Sequence, residues 1–293
     1  RNRKTIEMEN TMRIAIQAKV RLSEDSLEFL KDSGVKIDEL KRKFIAKAAN
    51  FPLEVLYLRD DDIPGVVADG SADIGIVGLN EVLESGADVK VVRKLDFGSC
   101  RISLAIPKDQ EYTGPQFFNG KKIATSYPRI LRKWLDENGV DAQDRVILGS
   151  VEISPAAGIA DAIFDIVSSG GTLVSNGLKE VQTVVESQAV LIVNKNLDAG
   201  KLQLLESMLF RFDAVLDSRG KKYILMNIPT DKVSEAVKIL PAMRSPTVMP
   251  LAAEGWCSLH SVVEESGMWE KIEKLKALGA EGILVLHLDK VIA

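Results

Sequence analysis

Cysteine, histidine and aromatic residues are all scarce in this sequence. Its 293 residues include two cysteines, two histidines and 5% aromatic residues, and Cys100 and Cys257 form no CxxC pair. With so few soft ligands, two cysteines far apart in the sequence and no CxxC pair, a structural zinc site is not predicted, and we expect the reduced cysteines of a cytoplasmic protein. No Ser-His-Asp or Cys-His arrangement is visible, so nothing supports covalent nucleophilic catalysis.

Long apolar runs and a dominant charge are also missing. No stretch reaches 18 consecutive apolar residues and the start, RNRKTIEMEN, is charged, so neither a membrane span nor a secretory signal is predicted and we expect a cytoplasmic protein. The net charge of -4 argues against a general nucleic-acid binder but allows small anionic ligands. The patterns GxxxxGK(S/T) and GxGxxG are absent too, which removes the main support for a nucleoside triphosphatase or a dinucleotide-dependent oxidoreductase.

What is present is the composition of a soluble α/β protein, with 46% hydrophobic and 27% charged residues over a length that predicts two or three domains. Apolar runs of strand length alternate with helical segments, which is typical of mostly parallel sheets with covered faces. From about residue 219 the order becomes β, α, β, β, α, β, the pattern of a ferredoxin-like module. The predicted division is 1–10 as an extension or tag, 11–106 with about 190–215 as one lobe, 107–189 as a second lobe, and 216–293 as a third domain.

Three apolar segments carry specific structural predictions. CRISLAIP (100–107) is predicted to be a strand of the first lobe, and SVEISP (150–155) and DAIFDIVS (161–168) are predicted strands of the second. In addition, ADGSADIGIVG (68–78) and AAGIADAIFDIVSSG (156–170) share an Ala-Asp step before an apolar run. This echo indicates duplicated lobes, although any two buried βαβ units look somewhat alike.

The stretch DAIFDIVSSGGTL carries the most specific chemical signal. If AIFDIV is a strand, the loop that follows it can point backbone N–H groups and hydroxyls inward, which makes a nest for a phosphate. The residues of that loop are Ser168, Ser169, Gly170, Gly171 and Thr172. Asp161 or Asp165 would then accept hydrogen bonds from sugar hydroxyls, so the stretch suits a sugar phosphate. The alternative is a plain strand and turn.

Three further clusters allow a functional and a structural interpretation. Asp60–Asp62 can hold Mg²⁺ through water, or cap the helix that follows. Lys19 and Arg21 follow the first strand at the edge where α/β sheets bind ligands and suit phosphate oxygens, or they are a surface charge pair. Thr125–Tyr127 end the first strand of the second lobe and face a possible cleft between the lobes.

Six stretches, in order from about residue 12 to the third domain, together resemble the ATP phosphoribosyltransferase family in its long, histidine-regulated form. They are RIAIQAKVRLSEDS, LRDDDIPGVVADGSADIGIVG, KLDFGSCRISLAIP, KKIATSYP, GSVEISPAAGIADAIFDIVSSGGTL and RSPTVMPLA. The resemblance implies that N1 of ATP attacks C1 of phosphoribosyl pyrophosphate, the first step of histidine biosynthesis. It also implies Mg²⁺, two lobes like those of type II periplasmic binding proteins, feedback inhibition by histidine, and dimers that associate to hexamers. Such a transfer passes through an oxocarbenium-like ribose and needs no covalent nucleophile.

The resemblance also implies roles for individual residues. Catalytic roles are implied for Arg21, Glu152 and Asp161. Substrate contacts are implied for Lys19, Asp60, Asp61, Arg101, Tyr127, Asp165, Ser168, Ser169, Gly170, Gly171 and Thr172. The sites that bind the inhibitor histidine in the family correspond to Asn227, Met243, Ser245, Thr247 and Gly282. No metal ligands are assigned.

The sequence departs from the family pattern at three positions. Val20 replaces a usual glycine, Leu79 a usual glutamate and His287 a common proline, which affects efficiency and regulation more than the reaction. Two other functions remain open. Two α/β lobes can form a ligand-clamping receptor or sensor without turnover, and a related phosphoribosyltransferase can use another acceptor such as orotate or a purine base.

Overall fold

The computed structural model describes most of the chain. The described residues are 11–18, 21–37, 44–240 and 245–292. Arg21 is described by its backbone alone. The chain divides into two compact units, of which the first runs to Glu206 and the second begins at Ser207 and includes Asp32–Gly34. Within these ranges no helix has both the length and the apolar character that crossing a membrane requires.

Strands and helices alternate along the described chain. The strands are β1 (Met12–Gln17), β2 (Ile45–Lys47), β3 (Leu53–Leu58), β4 (Ile74–Gly78), β5 (Lys90–Lys94), β6 (Cys100–Pro107), β7 (Lys122–Thr125), β8 (Gln143–Val146), β9 (Ala162–Val167), β10 (Leu178–Ser187), β11 (Ala189–Val193), β12 (Lys221–Pro229), β13 (Thr247–Pro250), β14 (Trp256–Glu264) and β15 (Glu281–His287). The helices are α1 (Arg21–Asp32), α2 (Ile63–Ala68), α3 (Leu79–Ser85), α4 (Pro128–Asn138), α5 (Gly171–Ser175), α6 (Ala199–Leu216), α7 (Val233–Ile239) and α8 (Met268–Ala277).

Apart from β2, an additional edge strand of the first sheet, the two sheets of the first unit share one strand order. The first sheet is β2-β3-β1-β4-β11-β5 and the second is β10-β6-β9-β7-β8. In each, three neighbouring strands run parallel, β3-β1-β4 and β8-β7-β9, and one antiparallel strand follows, β11 or β6. The strand β6 is the first strand after the chain leaves the first lobe, and β11 is the first strand after the chain returns to it. The predicted pair of α/β lobes of the type II periplasmic-binding-protein kind is therefore confirmed, and β4 and β9, the two strands of the sequence echo, hold equivalent places.

The assignment of Cys100–Pro107 to the first lobe is wrong. This segment is β6 and pairs antiparallel with β9 and β10 in the second sheet. Its buried Ile102 and Leu104 pack in the same core as Phe164 of β9. An apolar run predicts a buried strand, but it does not reveal which sheet accepts the strand when the chain crosses between lobes.

The predicted strand at 150–155 is also wrong, because Val151–Ile153 form a 3-10 turn. Ser150 has a φ of 51°, in the left-handed region, where a strand cannot continue. Conversely, β10 was not predicted from the pattern. Its register against β6 shifts twice, and such bulges interrupt the alternation by which a strand is recognised.

Parallel strands bring the candidate site residues to two sheet edges. In the first sheet Asp60 follows the carboxyl end of β3, and Asn80 and Glu81 follow that of β4. In the second sheet Tyr127 follows β7 and Ser168 follows β9. Ligands of open α/β sheets bind at the carboxyl ends of the strands, so this topology places each group where a ligand site is expected.

The second unit contains a four-stranded antiparallel sheet of order β13-β14-β12-β15. Together with α7 and α8 it has the predicted order β, α, β, β, α, β of a ferredoxin-like domain, which is confirmed. Ile224, Met226 and Ile228 of β12 pack in one core with Ala236 of α7 and Leu275 of α8. The alternate residues of β12 therefore point to the opposite face of the sheet.

Candidate active site

The loop after β9 forms one wall of a small pocket of about 90 Å³. The polar residues that line it are Glu152, Asp165, Ser168, Ser169, Gly170 and Thr172. The structure thus brings together six of the residues singled out in the sequence. They come from the 3-10 turn at Val151–Ile153, from β9, from the loop 168–170 and from the start of α5.

Local sequence explains how this pocket folds. Ile163 and Phe164 of β9 are buried in the second lobe. Their burial anchors the strand, so the loop residues lie at the carboxyl end of β9. Gly170 has a φ of 81°, a conformation that costs other residues free energy, and it lets the chain turn directly into α5. Ser168, Ser169 and Thr172 remain exposed, so their hydroxyls are open to a ligand.

Asp165 carries the main electrostatic feature of the pocket. Burial raises the pKa of Asp165 to about 6. A hydrogen bond from the Ile166 backbone partly opposes this rise, and the nearby charge of Glu152 adds to it. Two carboxylates thus share one small pocket. They offer acceptor oxygens for hydroxyl groups or for a cation, and no cation is present among the lining residues.

Asp161 does not line this pocket, contrary to the prediction that it joins Glu152. It precedes β9, and its carboxylate accepts a hydrogen bond from the backbone N–H of Lys122 at 2.8 Å. It lines another pocket, of about 300 Å³, together with Gly158. A six-residue strand is roughly 20 Å long, so residues before and after it lie at opposite sheet edges.

Arg101 of β6 holds the loop from the neighbouring strand. Its Nε and Nη2 donate to the two carboxylate oxygens of Glu180 at 2.6 and 2.5 Å, and its Nη1 donates to the backbone carbonyl of Ser168 at 3.0 Å. The Arg101 hydrogen bonds lower the pKa of Glu180 to about 2. Three of the five guanidinium N–H groups are therefore engaged, which leaves two for a ligand.

A second pocket, of about 370 Å³, adjoins the loop. Lys94, Arg101, Ser168 and Glu186 are among its lining residues. Lys94 is exposed and has no ion-pair partner within the described part of the chain. The pocket thus places two cations next to the loop that follows β9.

The first lobe contributes the half-buried carboxyl group of Glu81, which contacts Tyr127 of the second lobe. Oε1 of Glu81 accepts hydrogen bonds from the Tyr127 hydroxyl at 3.2 Å and from Nδ2 of Asn80 at 2.7 Å. Burial, and next the negative charge of Asp60, raise the pKa of Glu81 to about 7. Burial and the charges of Glu81 and Asp165 hold the pKa of Tyr127 above its usual range. Tyr127 therefore lies between carboxylates of both lobes.

Asp60 and Asp61 lie on a 3-10 turn just before α2. Asp61 forms an exposed ion pair with Arg59 at 3.0 Å, and the Asp60 carboxylate accepts the backbone N–H of Asp61 at 3.1 Å. Both add to the negative potential at Glu81. Within the described ranges no group of three metal-binding side chains occurs.

Some of the predicted site residues lie outside the described part of the structure. They are Lys19, the side chain of Arg21, and Met243, together with the departure at Val20. Their predicted roles remain predictions.

Three of the candidate histidine-binding residues, Asn227, Thr247 and Gly282, lie on the third sheet. Asn227 lies on β12, and a Cβ built on Gly282 of β15 would be 3.6 Å from its Nδ2. Thr247 of β13 is the register partner of His260, which in turn pairs with Leu225. The side chains of Thr247 and Asn227 therefore point to the face opposite the helices. Ser245 precedes β13 and is exposed.

Sequence reasoning missed Glu81, Lys94 and Glu180. Glu81 follows the glycine that ends β4, so its place after the carboxyl end of a buried strand could have indicated it. Lys94 and Glu180 had no such signal, because their proximity to the loop depends on how β5, β6 and β10 lie in the two sheets.

Comparison with known proteins gives consistent matches along the chain. A profile of ATP phosphoribosyltransferase matches residues 59–214, and one of the HisG C-terminal domain matches residues 218–290. The ATP phosphoribosyltransferase of Bacteroides thetaiotaomicron is 58% identical over 281 residues, which cover 96% of this chain and 99% of that protein. The one from Cytophaga hutchinsonii is 50% identical over 285 residues, covering 97% and 100%. Among solved structures, a chain of the ATP phosphoribosyl transferase (HisG:HisZ) complex from Thermotoga maritima has a TM-score of 0.59 at 25% identity, covering 69% of this chain and 98% of that chain.

Proposed function

Because the chain belongs to the ATP phosphoribosyltransferase family, we propose that the cleft between its two lobes is the active site and that Ser168–Thr172 hold the 5-phosphate of phosphoribosyl pyrophosphate. The enzyme transfers the phosphoribosyl group to N1 of ATP and releases pyrophosphate, the first step of histidine biosynthesis. The observation that supports this position for the phosphate is the pocket that Glu152, Asp165 and this loop line together. A phosphate in the loop puts the ribose beside the two carboxylates.

Asp165 and Glu152 are the proposed partners of the ribose hydroxyls. Ionised carboxylates accept hydrogen bonds from hydroxyl groups about twice as strongly as neutral acceptors. Their negative charge also suits the positive charge that develops on the ribose as pyrophosphate leaves. Asp165 takes the place first given to Asp161, which instead fixes the start of β9 through the Lys122 amide.

The transfer itself needs alignment more than a reactive side chain. The bond from C1 to the pyrophosphate oxygen breaks while N1 of the adenine bonds to C1, and both electrons of the broken bond leave with pyrophosphate. Lys94 and the free N–H groups of Arg101, which line the pocket beside the loop, are the proposed partners of that leaving charge. Arg101 also holds the Ser168 carbonyl, so it keeps the loop in register with the pocket. Asp60, Asp61 and Tyr127 are the proposed ATP-side contacts, together with Lys19 and Arg21.

We propose Mg²⁺ as the cofactor, and the donor groups fit it. The carboxylates that face the cleft, among them Asp60, Asp61, Glu152 and Asp165, supply one or two oxygen ligands at a time and no dedicated cage in the described ranges. Magnesium sites in phosphate-transfer proteins usually have this form, with substrate phosphates as the remaining ligands. The bound ion would neutralise charge on the departing pyrophosphate.

Feedback inhibition by histidine is proposed for the third domain. Asn227 and Gly282 are adjacent, and Thr247 shares their sheet face, so amide, hydroxyl and backbone groups are available to a carboxylate-and-imidazole ligand. Leu284 and Leu286 of β15 are 52% and 47% exposed on that face. Exposed apolar groups of this kind support the further proposal of a homo-oligomer, with dimers that associate to hexamers. Light scattering with and without histidine would test it.

An acceptor assay tests the proposed function. The enzyme is mixed with phosphoribosyl pyrophosphate, Mg²⁺ and pyrophosphatase, and the absorbance of phosphoribosyl-ATP is followed with ATP as the acceptor. Orotate and purine bases replace ATP in parallel reactions. We expect product when ATP is the acceptor and none when orotate or a purine base replaces it. Turnover only with a base would instead support a different acceptor, and binding without turnover would support a sensor.

A further inference from the structure

Four side chains join the two lobes through hydrogen bonds. We call Asn80, Glu81, Tyr127 and Ser187 the interlobe network. The Tyr127 hydroxyl donates to Glu81 and accepts from Nδ2 of Asn80 at 3.3 Å. The Ser187 hydroxyl donates to Oδ1 of Asn80 at 2.8 Å and accepts the Asn80 backbone N–H at 3.0 Å. Asn80 and Glu81 belong to α3 of the first lobe, and Tyr127 precedes α4 of the second.

Burial and packing make this network a fixed structure. Asn80, Tyr127 and Ser187 are 4%, 9% and 5% exposed. A tyrosine hydroxyl has one proton, so with Asn80 donating to its oxygen that proton goes to Glu81. A Cβ on Gly78 would lie 2.4 Å from Oδ1 of Asn80, so the amide is folded tightly onto the turn between β4 and α3. Hydrogen-bond networks with several buried members, such as this one, hold those members in one geometry.

Among the described residues, the charges around Glu81 are negative. The titratable groups that bear on it there are Asp60, Asp61, Glu84, Tyr127 and Cys100, and none of these is a cation. Burial and these carboxylates are why the pKa of Glu81 rises to about 7, so its carboxyl changes charge close to neutral pH.

We propose that Glu81 is a positioning residue for the phosphoribosyl transfer: its carboxylate accepts the Tyr127 hydroxyl across the cleft and so fixes one lobe against the other. This inference rests on the proposed placement of the substrates in the cleft. The charged carboxylate accepts the hydroxyl more strongly than the neutral acid does. Because the reaction depends on alignment of two substrates, weakening this bond lowers kcat more than it raises either KM.

Rate measurements across pH test the proposal. The ionised form of Glu81 is the effective one, so wild-type kcat is full above neutral pH and falls as pH drops through about 7. Glu81→Gln should lower kcat about five- to tenfold at pH 8, the scale of exchanging a charged acceptor for the neutral amide oxygen, and should lack the fall of kcat near neutral pH. Tyr127→Phe should lower kcat at least as much, because it removes the hydrogen bond. The double variant should lose no more kcat than Tyr127→Phe, because both changes act on the same bond.

Glu84→Gln is the matched control. Glu84 lies on the same helix and accepts the backbone N–H groups of Arg129 and Ile130 at 2.9 and 3.0 Å, so it also joins the lobes but does not touch Tyr127. Glu84→Gln should keep a fall of kcat with decreasing pH, moved to somewhat lower pH because the Glu84 charge is one of those that raise the pKa of Glu81. The proposal is overturned if Glu81→Gln keeps that fall, or if the two single losses multiply in the double variant. A wild-type enzyme that makes no phosphoribosyl-ATP at any pH would overturn the proposed function as well.

Discussion

Asp165→Asn and Asp161→Asn form a matched pair at the two ends of β9. Asp165 lines the loop pocket with Glu152, whereas Asp161 lies at the other edge of the sheet. Asparagine keeps the size of the side chain and one acceptor oxygen, so each change removes mainly the charge. We expect Asp165→Asn to lose most of the transfer activity and Asp161→Asn to keep it, because the Asn oxygen can still accept the Lys122 amide.

The expected decrease in kcat/KM for Asp165→Asn follows from the hydrogen bonds between Asp165 and the ribose hydroxyls. A bond to a charged acceptor is worth about 1 to 1.5 kcal/mol more than one to a neutral acceptor, and two ribose hydroxyls bring the loss to about 2 to 3 kcal/mol. This corresponds to a decrease in kcat/KM of about 30- to 150-fold. Since the pKa of Asp165 is raised to about 6, wild-type kcat/KM should fall as pH drops through that value and the carboxylate takes up a proton. The Asp165→Asn variant should lack this fall.

The assay is the initial rate of phosphoribosyl-ATP formation with phosphoribosyl pyrophosphate varied at saturating ATP and Mg²⁺. Thermal unfolding of each variant is measured in parallel. Asp165→Asn should unfold at a higher temperature than wild type at pH 8, because burial penalises the ionised group it removes. A larger loss of kcat/KM for Asp161→Asn than for Asp165→Asn would refute the assignment of the ribose contact.

Three other changes have defined outcomes. Thr172→Ala should raise the KM for phosphoribosyl pyrophosphate about 5- to 30-fold, from a lost hydrogen bond of about 1 to 2 kcal/mol; an unchanged KM in steady-state kinetics would mean that the loop is merely a turn. Gly86→Ala and Gly139→Ala should lower the free energy of unfolding in urea by similar amounts, because both have a φ near +60° and the group that a Cβ at Gly86 would meet, the guanidinium of exposed Arg129, can move aside. A clearly larger loss at Gly86 would contradict that freedom of the Arg129 side chain. Asn227→Ala should raise the histidine concentration for half-inhibition and leave the uninhibited rate unchanged; inhibition equal to wild type would remove Asn227 from the regulatory site.

Local patterns were sufficient for the parts of the site that are continuous in sequence. AIFDIV is apolar and β-branched, and SSGGT combines hydroxyls with glycines, so the strand and the loop were predictable, and the role of the loop in phosphate binding stays a prediction. The two aspartates could not be ranked in this way. Their roles depend on which edge of the sheet each one occupies, and that follows from the direction of β9 among its neighbours.

Features that depend on chain crossing were not predictable from local patterns. Cys100–Pro107 is as apolar as any strand of the first lobe, yet it completes the second sheet because the chain crosses there. Glu81 and Tyr127 are 46 positions apart and carry no shared motif, and they meet only because the carboxyl edges of both sheets face one cleft. Such pairs follow from topology, which the pattern of apolar residues constrains only in part.

A crystal structure of the enzyme with phosphoribosyl pyrophosphate and Mg²⁺ tests the central claim most directly. The account predicts the 5-phosphate within hydrogen-bond distance of Ser168–Thr172 and the ribose hydroxyls on Asp165 and Glu152. A 5-phosphate bound away from this loop, or ribose hydroxyls on Asp161, would contradict it.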